Sequence, residues 1–208
     1  RLNSISKANG TLSERAVFIS NYGIKSFHID CHTFINKLFF RLYERDRSNI
    51  CPEAFRNFVF ISHAHEDSDI AEKIAKQLSG ESVIQWLDKE TLSPGDRLRR
   101  DLSQAIADCG IFLALLSENV VHKDGKTLWE EWHAAVENNK FILPVYTKTI
   151  TAGSLKNRLA AIPENVRSKI LDPATTIVSQ LDSDDQLPEN TIVTIKKKLY
   201  DISLSKKI

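Results

Sequence analysis

Asn57–Ser62 reads Asn-Phe-Val-Phe-Ile-Ser, and the polar cluster His63–Asp67, which reads His-Ala-His-Glu-Asp, follows it directly. A continuous apolar run of this length is typical of a strand that is buried on both faces of a parallel sheet. In open α/β sheets, ligands bind at the carboxyl ends of such strands. The stretch therefore predicts a buried strand whose end carries polar residues at the place where a ligand binds.

The rest of the chain repeats this strand-to-helix unit. Further apolar runs occupy Val83–Leu87, Ile111–Leu116 and Phe141–Tyr146, and Thr175–Val178 is a short fifth run. Apolar residues at helical spacing lie between them, and Asp67, Ser68 and Asp69 are candidate N-caps of the first of these helices. Alternating strands and helices with short links predict an α/β fold with a doubly wound, flavodoxin-like five-stranded parallel sheet in the order 2-1-3-4-5.

The switch point of that sheet lies between the first and third strands, and it predicts where the site is built. We expect the site to combine the residues after Ser62, the residues after Ser117 and the loop after Asp88. Each of these three residues ends a predicted strand.

Residues 1–54 are predicted to form a separate N-terminal segment, and residues 55–208 the α/β domain. Apolar side chains recur at helical spacing from Ser26 to Asp46 and predict an amphipathic helix; they are Phe27, Cys31, Phe34, Ile35, Leu38, Phe39 and Leu42. Arg15–Ile24 fits either a short strand or the start of a helix. The chain begins at Arg1 and contains no methionine, so we expect it to be a fragment or a processed product.

Composition excludes several classes of protein. The formal net charge is +1, which predicts neither nucleic-acid nor acidic-membrane partners. The three cysteines, Cys31, Cys51 and Cys109, are too scattered for a disulfide framework or a metal site, and they favour a cytoplasmic, reducing compartment. No apolar run approaches the roughly 18 residues of a membrane span, and no signal peptide opens the chain. Neither a glycine-rich dinucleotide fingerprint nor a P-loop is present, and no metal site is predicted.

Four motifs, taken together, resemble the Toll/interleukin receptor (TIR) domain family. Phe58–Asp67 is similar to the first conserved box of these domains. Trp86–Asp88, followed by Leu92–Asp96, resembles the end of their second strand and the loop after it, in the style of microbial TIR domains. Leu115–Ser117 and then Glu131–Trp132 resemble the end of the third strand and the start of the next helix. The order and spacing of the four motifs are what make the resemblance specific.

The resemblance implies two kinds of function. Some TIR domains are scaffolds that signal by assembling with other TIR domains, whereas many microbial ones are NAD⁺ glycohydrolases or cyclases. In the enzymes an essential glutamate lies at the start of the third helix, and Glu131 matches it. We therefore expect an NAD⁺ nucleosidase that acts in defence or cell-death signalling, with NAD⁺ as substrate, no prosthetic group, and a homo-oligomer as the active form. The alternative is a non-enzymatic TIR adaptor.

The choice of glutamate stays open between Glu131 and its neighbour Glu130. The family often has a tryptophan four residues before the essential glutamate, but Thr127 stands there and Trp129 follows two residues later. On the residues alone, both glutamates are also explained as acids that the dipole favours near a helix N-terminus. The resemblance favours Glu131 as the catalytic residue.

Five further residues are predicted to bind the substrate: Ser62, His63, Trp86, Asp88 and Ser117. The two serines could hydrogen-bond a ligand or cap the turns that follow their strands. Trp86 could stack on a base of NAD⁺ or belong to the core. Asp88 lies at the start of a loop that could close over a ligand, and His63 could lie beside the nucleotide.

Overall fold

The computed structural model describes residues 7–8, 11–12, 15–20, 23–28, 36, 38–39, 58–87, 96–121, 126–148, 150, 153, 155, 159, 162–171 and 178–205. The chain divides into two compact units, Arg1–Asp46 and Arg47–Ile208. The boundary after residue 54 stays a prediction.

The first unit contains two antiparallel strand pairs. Strand β1 (Lys7–Ala8) pairs with β2 (Thr11–Leu12), and β3 (Arg15–Ser20) pairs with β4 (Gly23–His28). The sequence left open whether Arg15–Ile24 is a strand or the start of a helix, and the structure shows that this stretch contains strand residues.

The helix that was predicted from Ser26 to Asp46 does not begin at Ser26. Residues 26–28 belong to β4, where the hairpin ladder pairs Phe27 with Ala16 and His28 with Arg15. Pairing between β3 and β4 therefore prevails over the helical spacing that starts at Phe27. Residues 36, 38 and 39 are helical, and the rest of the predicted helix lies outside the described residues.

The second unit is built on a five-stranded parallel sheet in the order β6-β5-β7-β8-β9. Its strands are β5 (Val59–Ser62), β6 (Gln85–Leu87), β7 (Ile111–Leu116), β8 (Phe141–Tyr146) and β9 (Ser179–Gln180). This order confirms the predicted doubly wound fold and its switch point between β5 and β7.

Five helices of this unit lie within the described residues. They are α1 (Ser68–Gly80), α2 (Asp96–Asp108), α3 (Lys126–Glu137), α4 (Glu164–Leu171) and α5 (Glu189–Ser205). Short 3₁₀ turns follow β5 at His65–Asp67 and β7 at Glu118–Val121.

The fifth strand is not where its apolar run predicted it. β9 comprises Ser179–Gln180, whereas Val178 is exposed outside the strand and Thr175–Ile177 lie outside the described residues. The strand consists of two polar residues, because its position is set by backbone pairing with Val145 and Tyr146 of β8 and not by an apolar side-chain pattern.

The two faces of the sheet carry different layers. One face of the sheet packs against α1 and α5 in a single apolar cluster. The strands contribute alternate residues to it, among them Val59, Ile61, Leu113 and Val145, and the helices contribute Ile74, Leu78, Ile195 and Leu199. Side chains alternate along a strand, so the intervening residues point to the opposite face. There the rings of Phe60 and Phe112 stack with centroids 5.5 Å apart, and Trp132 of α3 is almost fully buried. Ser62 shares this second face, since it lies two residues after Phe60.

Candidate active site

Glu131 is a buried carboxylate on α3. Its side chain continues the buried stripe of that helix, because Leu128, Glu131, Trp132 and Ala135 are spaced at i, i+3, i+4 and i+7. This stripe faces the sheet, and Glu131 is only 7% exposed. A charged group at a core position of a helix needs a polar partner to offset its desolvation.

Ser62 supplies such a partner. Its Oγ donates to Oε2 of Glu131 over 2.6 Å in a buried hydrogen bond. Ser62 is the last residue of β5, and the alternation of side chains directs it toward the face on which α3 packs. The contact spans 69 positions in sequence, and it places the carboxylate at the carboxyl end of β5, beside the switch point.

Glu130 has a different environment, although it is the next residue. It is exposed to solvent, whereas Glu131 is buried against the sheet. The helix begins at Lys126, so Glu131 lies beyond the first turn, where the helix dipole acts most strongly. Attraction to the helix N-terminus therefore does not explain why Glu131 is buried.

Ser117 belongs to a second polar network at the same end of the sheet. Its Oγ donates to Oδ2 of Asp67, and the side-chain amide of Asn119 donates to Oδ1 of Asp67 over 2.7 Å. The backbone N–H of Asn119 donates to Ser117 Oγ over 2.9 Å. This network links the segment after β5 to the segment after β7.

Two residues of this network were not predicted as site residues. Asp67 was interpreted as a helix N-cap, and Asn119 was not singled out. Both follow strands that flank the switch point, and that position is the signal by which the sequence could have indicated them.

The other predicted binding residues lie in varied surroundings. His63 directly follows β5, is partly exposed, and its Nδ1 lies 3.4 Å from the carbonyl oxygen of Ile61. Trp86 is 3% exposed, and its ring lies 6.4 Å from that of Phe58, as in a core residue. Asp88 and the loop that follows it up to residue 95 lie outside the described residues.

Two buried polar atoms on the second face lack a hydrogen-bond partner among the described residues. They are Nε1 of Trp132, the neighbour of Glu131, and Oη of Tyr146, the last residue of β8. Burial raises the pKa of the Tyr146 phenol, because desolvation disfavours the charged phenolate.

The described residues contain neither a metal-binding cluster nor a membrane-spanning helix. Among the residues that the structure describes, no group of three or more histidine, cysteine, aspartate or glutamate side chains could hold a metal ion. Within the same part of the chain, no helix is both long and apolar enough to cross a membrane.

Comparison with known proteins identifies the family. A model of the TIR domain family matches residues 59–165, which is more than half of the chain. The chain therefore belongs to the TIR domain family. This confirms the resemblance that the four motifs indicated.

Its curated relatives include three microbial proteins. The chain is 32% identical over 152 residues to the NAD(+) hydrolase TcpA of Theionarchaea archaeon (strain DG-70-1), which covers 69% of this chain and 44% of that protein. It is 33% identical over 95 residues to the NAD(+) hydrolase TcpC of Escherichia coli O6:H1 (strain CFT073), and the match covers 42% of this chain and 30% of that protein. It is 31% identical over 93 residues to the NAD(+) hydrolase PdTIR of Paracoccus denitrificans, and the match covers 43% of this chain and 31% of that protein. The chain thus spans less than half the length of each relative.

Proposed function

We propose that this chain is an NAD⁺ nucleosidase, which cleaves the bond between nicotinamide and ribose, and that Glu131 is its catalytic residue. The observation that carries this proposal is the buried Glu131 carboxylate, which Ser62 holds at the carboxyl end of β5. Membership of the TIR family and the similarity to three NAD(+) hydrolases support it.

A single carboxylate suffices for this chemistry. The nicotinamide ring of NAD⁺ is positively charged and leaves as a neutral molecule, so the electron pair of the broken bond moves to the ring nitrogen with little need for an acid. Positive charge develops on the ribose, which becomes oxocarbenium-like. A carboxylate beside that sugar stabilises the charge and accepts hydrogen bonds from its hydroxyl groups.

Two products are compatible with this step. Water can add to the ribose carbon, which releases a proton and gives ADP-ribose. A nucleophilic group of the same molecule can add instead and close a ring, which gives a cyclic product. Glu131 has the same role in both cases, since it acts before the two paths separate.

The remaining binding residues are proposed with the roles that their surroundings favour. Ser62 orients the Glu131 carboxylate. His63 is partly exposed directly behind β5, and we propose that it contacts the substrate. Ser117 is proposed to shape the same edge of the sheet through Asp67. Asp88 remains a proposed contact on its loop, and the burial of Trp86 favours a core role over stacking on a base.

The test compares two adjacent glutamates. Purified wild type, Glu131→Gln and Glu130→Gln are incubated with NAD⁺ at high protein concentration, and nicotinamide release is measured. We expect Glu131→Gln to lower kcat by at least about 100-fold, because a neutral amide stabilises the developing cation poorly. The exposed Glu130 is the matched control, so Glu130→Gln should retain wild-type kcat. Full activity in Glu131→Gln would refute the assignment of Glu131.

We also propose that the active form is a homo-oligomer of the chain. Family membership supports this, since a neighbouring copy often completes the site in TIR enzymes. Activity per molecule should then fall on dilution. The family and the scattered cysteines also support a cytoplasmic role in defence signalling. Assembly that depends on residues 89–96 and leaves NAD⁺ intact would favour the alternative, a non-enzymatic TIR scaffold.

A further inference from the structure

Asp67 is a buried carboxylate that its own helix does not use. It occupies the N-cap position of α1 and is 3% exposed, yet its side chain makes no capping hydrogen bond. An N-cap aspartate ordinarily accepts a hydrogen bond from a backbone N–H in the first turn of the helix. Both oxygens of Asp67 are instead directed to residues about 50 positions further along the chain.

The partners of Asp67 hold it at two points. Ser117 donates to one carboxylate oxygen, and Asn119 donates to the other. Asn119 also donates its backbone N–H to Ser117, so the three residues close a small network. Hydrogen bonds to a charged oxygen are stronger than neutral ones, and low exposure at Asp67 and Ser117 strengthens them further.

A second link across the same end of the sheet lies at the proposed catalytic carboxylate. Ser62 ends β5 shortly before Asp67, and it donates to Glu131 on α3, the helix that follows Ser117 and Asn119 in the chain. One link therefore connects Ser62 with Glu131, and the other connects Asp67 with Ser117. We expect a shift of the segment after β5 against the segment after β7 to disturb both links, because β5 ends directly before the first segment and α3 follows the second.

We propose that Asp67 is a positioning residue of the site. It holds the segment after β5 against the segment after β7, and so keeps Ser62 and Glu131 in the geometry that the reaction needs. The proposal rests on the proposed NAD⁺ cleavage. Glu131 is the residue that touches substrate, whereas Asp67 acts only through Ser117, Asn119 and the backbone.

The first arm of the test measures kcat and KM for NAD⁺ cleavage in Asp67→Ala and Asp67→Asn. Displacement of a catalytic group by about 1 Å can cost about 100-fold, so we expect Asp67→Ala to lower kcat by about 100-fold and to change KM by less than about threefold. Asparagine keeps one acceptor for Asn119 and offers an N–H to the Ser117 hydroxyl. Asp67→Asn should therefore restore kcat to within about tenfold of wild type.

A matched pair of serines separates positioning from stability. Ser117→Ala removes a donor to Asp67, whereas Ser79→Ala removes a buried hydroxyl that accepts from Gln85 on β6 over 2.7 Å. We expect Ser117→Ala to lower kcat about tenfold and Ser79→Ala to leave it unchanged. Ser117→Ala also carries the test if Asp67→Ala fails to fold.

A double-mutant cycle gives a readout that a merely structural role would not move. If Ser62 and Asp67 maintain the same geometry, the loss of kcat in Asp67→Ala combined with Ser62→Ala should stay near about 100-fold, below the product of the two single losses. In the control cycle, the loss of kcat in Ser62→Ala combined with Ser79→Ala should equal the product of the losses in the two single variants.

The outcomes distinguish this proposal from the proposed function. A wild-type protein that leaves NAD⁺ intact at high concentration overturns the proposed function and the role of Asp67 with it. An active wild type with unchanged kcat in both Asp67→Ala and Ser117→Ala overturns the positioning role alone. The positioning role is also overturned if the loss of kcat in the Asp67→Ala and Ser62→Ala double variant equals the product of the two single losses.

Discussion

Ser62→Ala tests the contact on which the proposed site depends. The substitution removes the hydroxyl that donates to Glu131 Oε2 over 2.6 Å. Ser62 is 1% exposed and Glu131 7%, so water has little access to replace the lost donor. A hydrogen bond to a charged group contributes about 1.5–3 kcal/mol, and we expect the free energy of unfolding to fall by about 2 kcal/mol. For a chain of this size, that loss lowers Tm by about 4–8 °C.

Activity should fall in the same variant. A carboxylate without its serine donor is held less firmly, so we expect kcat for NAD⁺ cleavage to drop about tenfold. Urea unfolding gives the change in stability, and nicotinamide release at saturating NAD⁺ gives the change in kcat. The activity is measured well below the Tm of the variant, where the folded fraction is close to one.

Ser79→Ala is the control for the loss of a buried serine hydroxyl. Ser79 accepts a hydrogen bond from the neutral amide of Gln85, so its removal should cost about 1 kcal/mol and leave kcat at the wild-type value. Suppose that Ser62→Ala costs no more stability than this control and also retains full kcat. That result would show that the Ser62–Glu131 contact does not hold the carboxylate in place.

Two further predictions concern buried groups outside the proposed chemistry. Burial raises the pKa of the Cys109 thiol from 9.0 to about 12, so the stability that it contributes is complete below about pH 9 and is lost as the pH rises toward 12. Between about pH 9 and 11, urea unfolding should show a loss of about 2 kcal/mol that Cys109→Ala lacks; equal losses would contradict the burial. Tyr146→Phe removes a buried hydroxyl that has no partner among the described residues, so its free energy of unfolding should match or exceed that of wild type by up to about 1 kcal/mol. A clear destabilisation in thermal unfolding at neutral pH would contradict this.

The central strands were predictable because their signal is local. Ile111–Leu116 and Phe141–Tyr146 are strands to the residue, since continuous apolar runs bounded by polar residues fit strands that are buried on both faces. β9 was not predictable in this way. Its two residues are polar, and they form a strand because they pair with β8. No pattern in the neighbouring sequence indicates this pairing.

The edge of the sheet that carries the candidate site was also predictable, but its contacts were not. A doubly wound topology brings Ser62 and Ser117 to one edge, as the sequence predicted. Local chemistry suggested that Asp67 caps the helix behind it, whereas its carboxylate accepts hydrogen bonds from Ser117 and Asn119. Pairing over this sequence distance depends on the folded topology, so spacing along the chain does not indicate it.

The position of Glu131 in its helix joins the fold to the proposed function. It lies within the apolar stripe of α3, where a leucine would pack without any desolvation cost. A buried carboxylate there is a poor source of stability, because replacing such groups by apolar residues is often neutral or stabilising. Ser62 offsets part of the cost, and it is a polar residue on the face of the sheet that carries the stacked rings of Phe60 and Phe112. The role that we propose for Glu131, a charge beside a sugar cation, would account for both residues, whereas apolar packing alone does not.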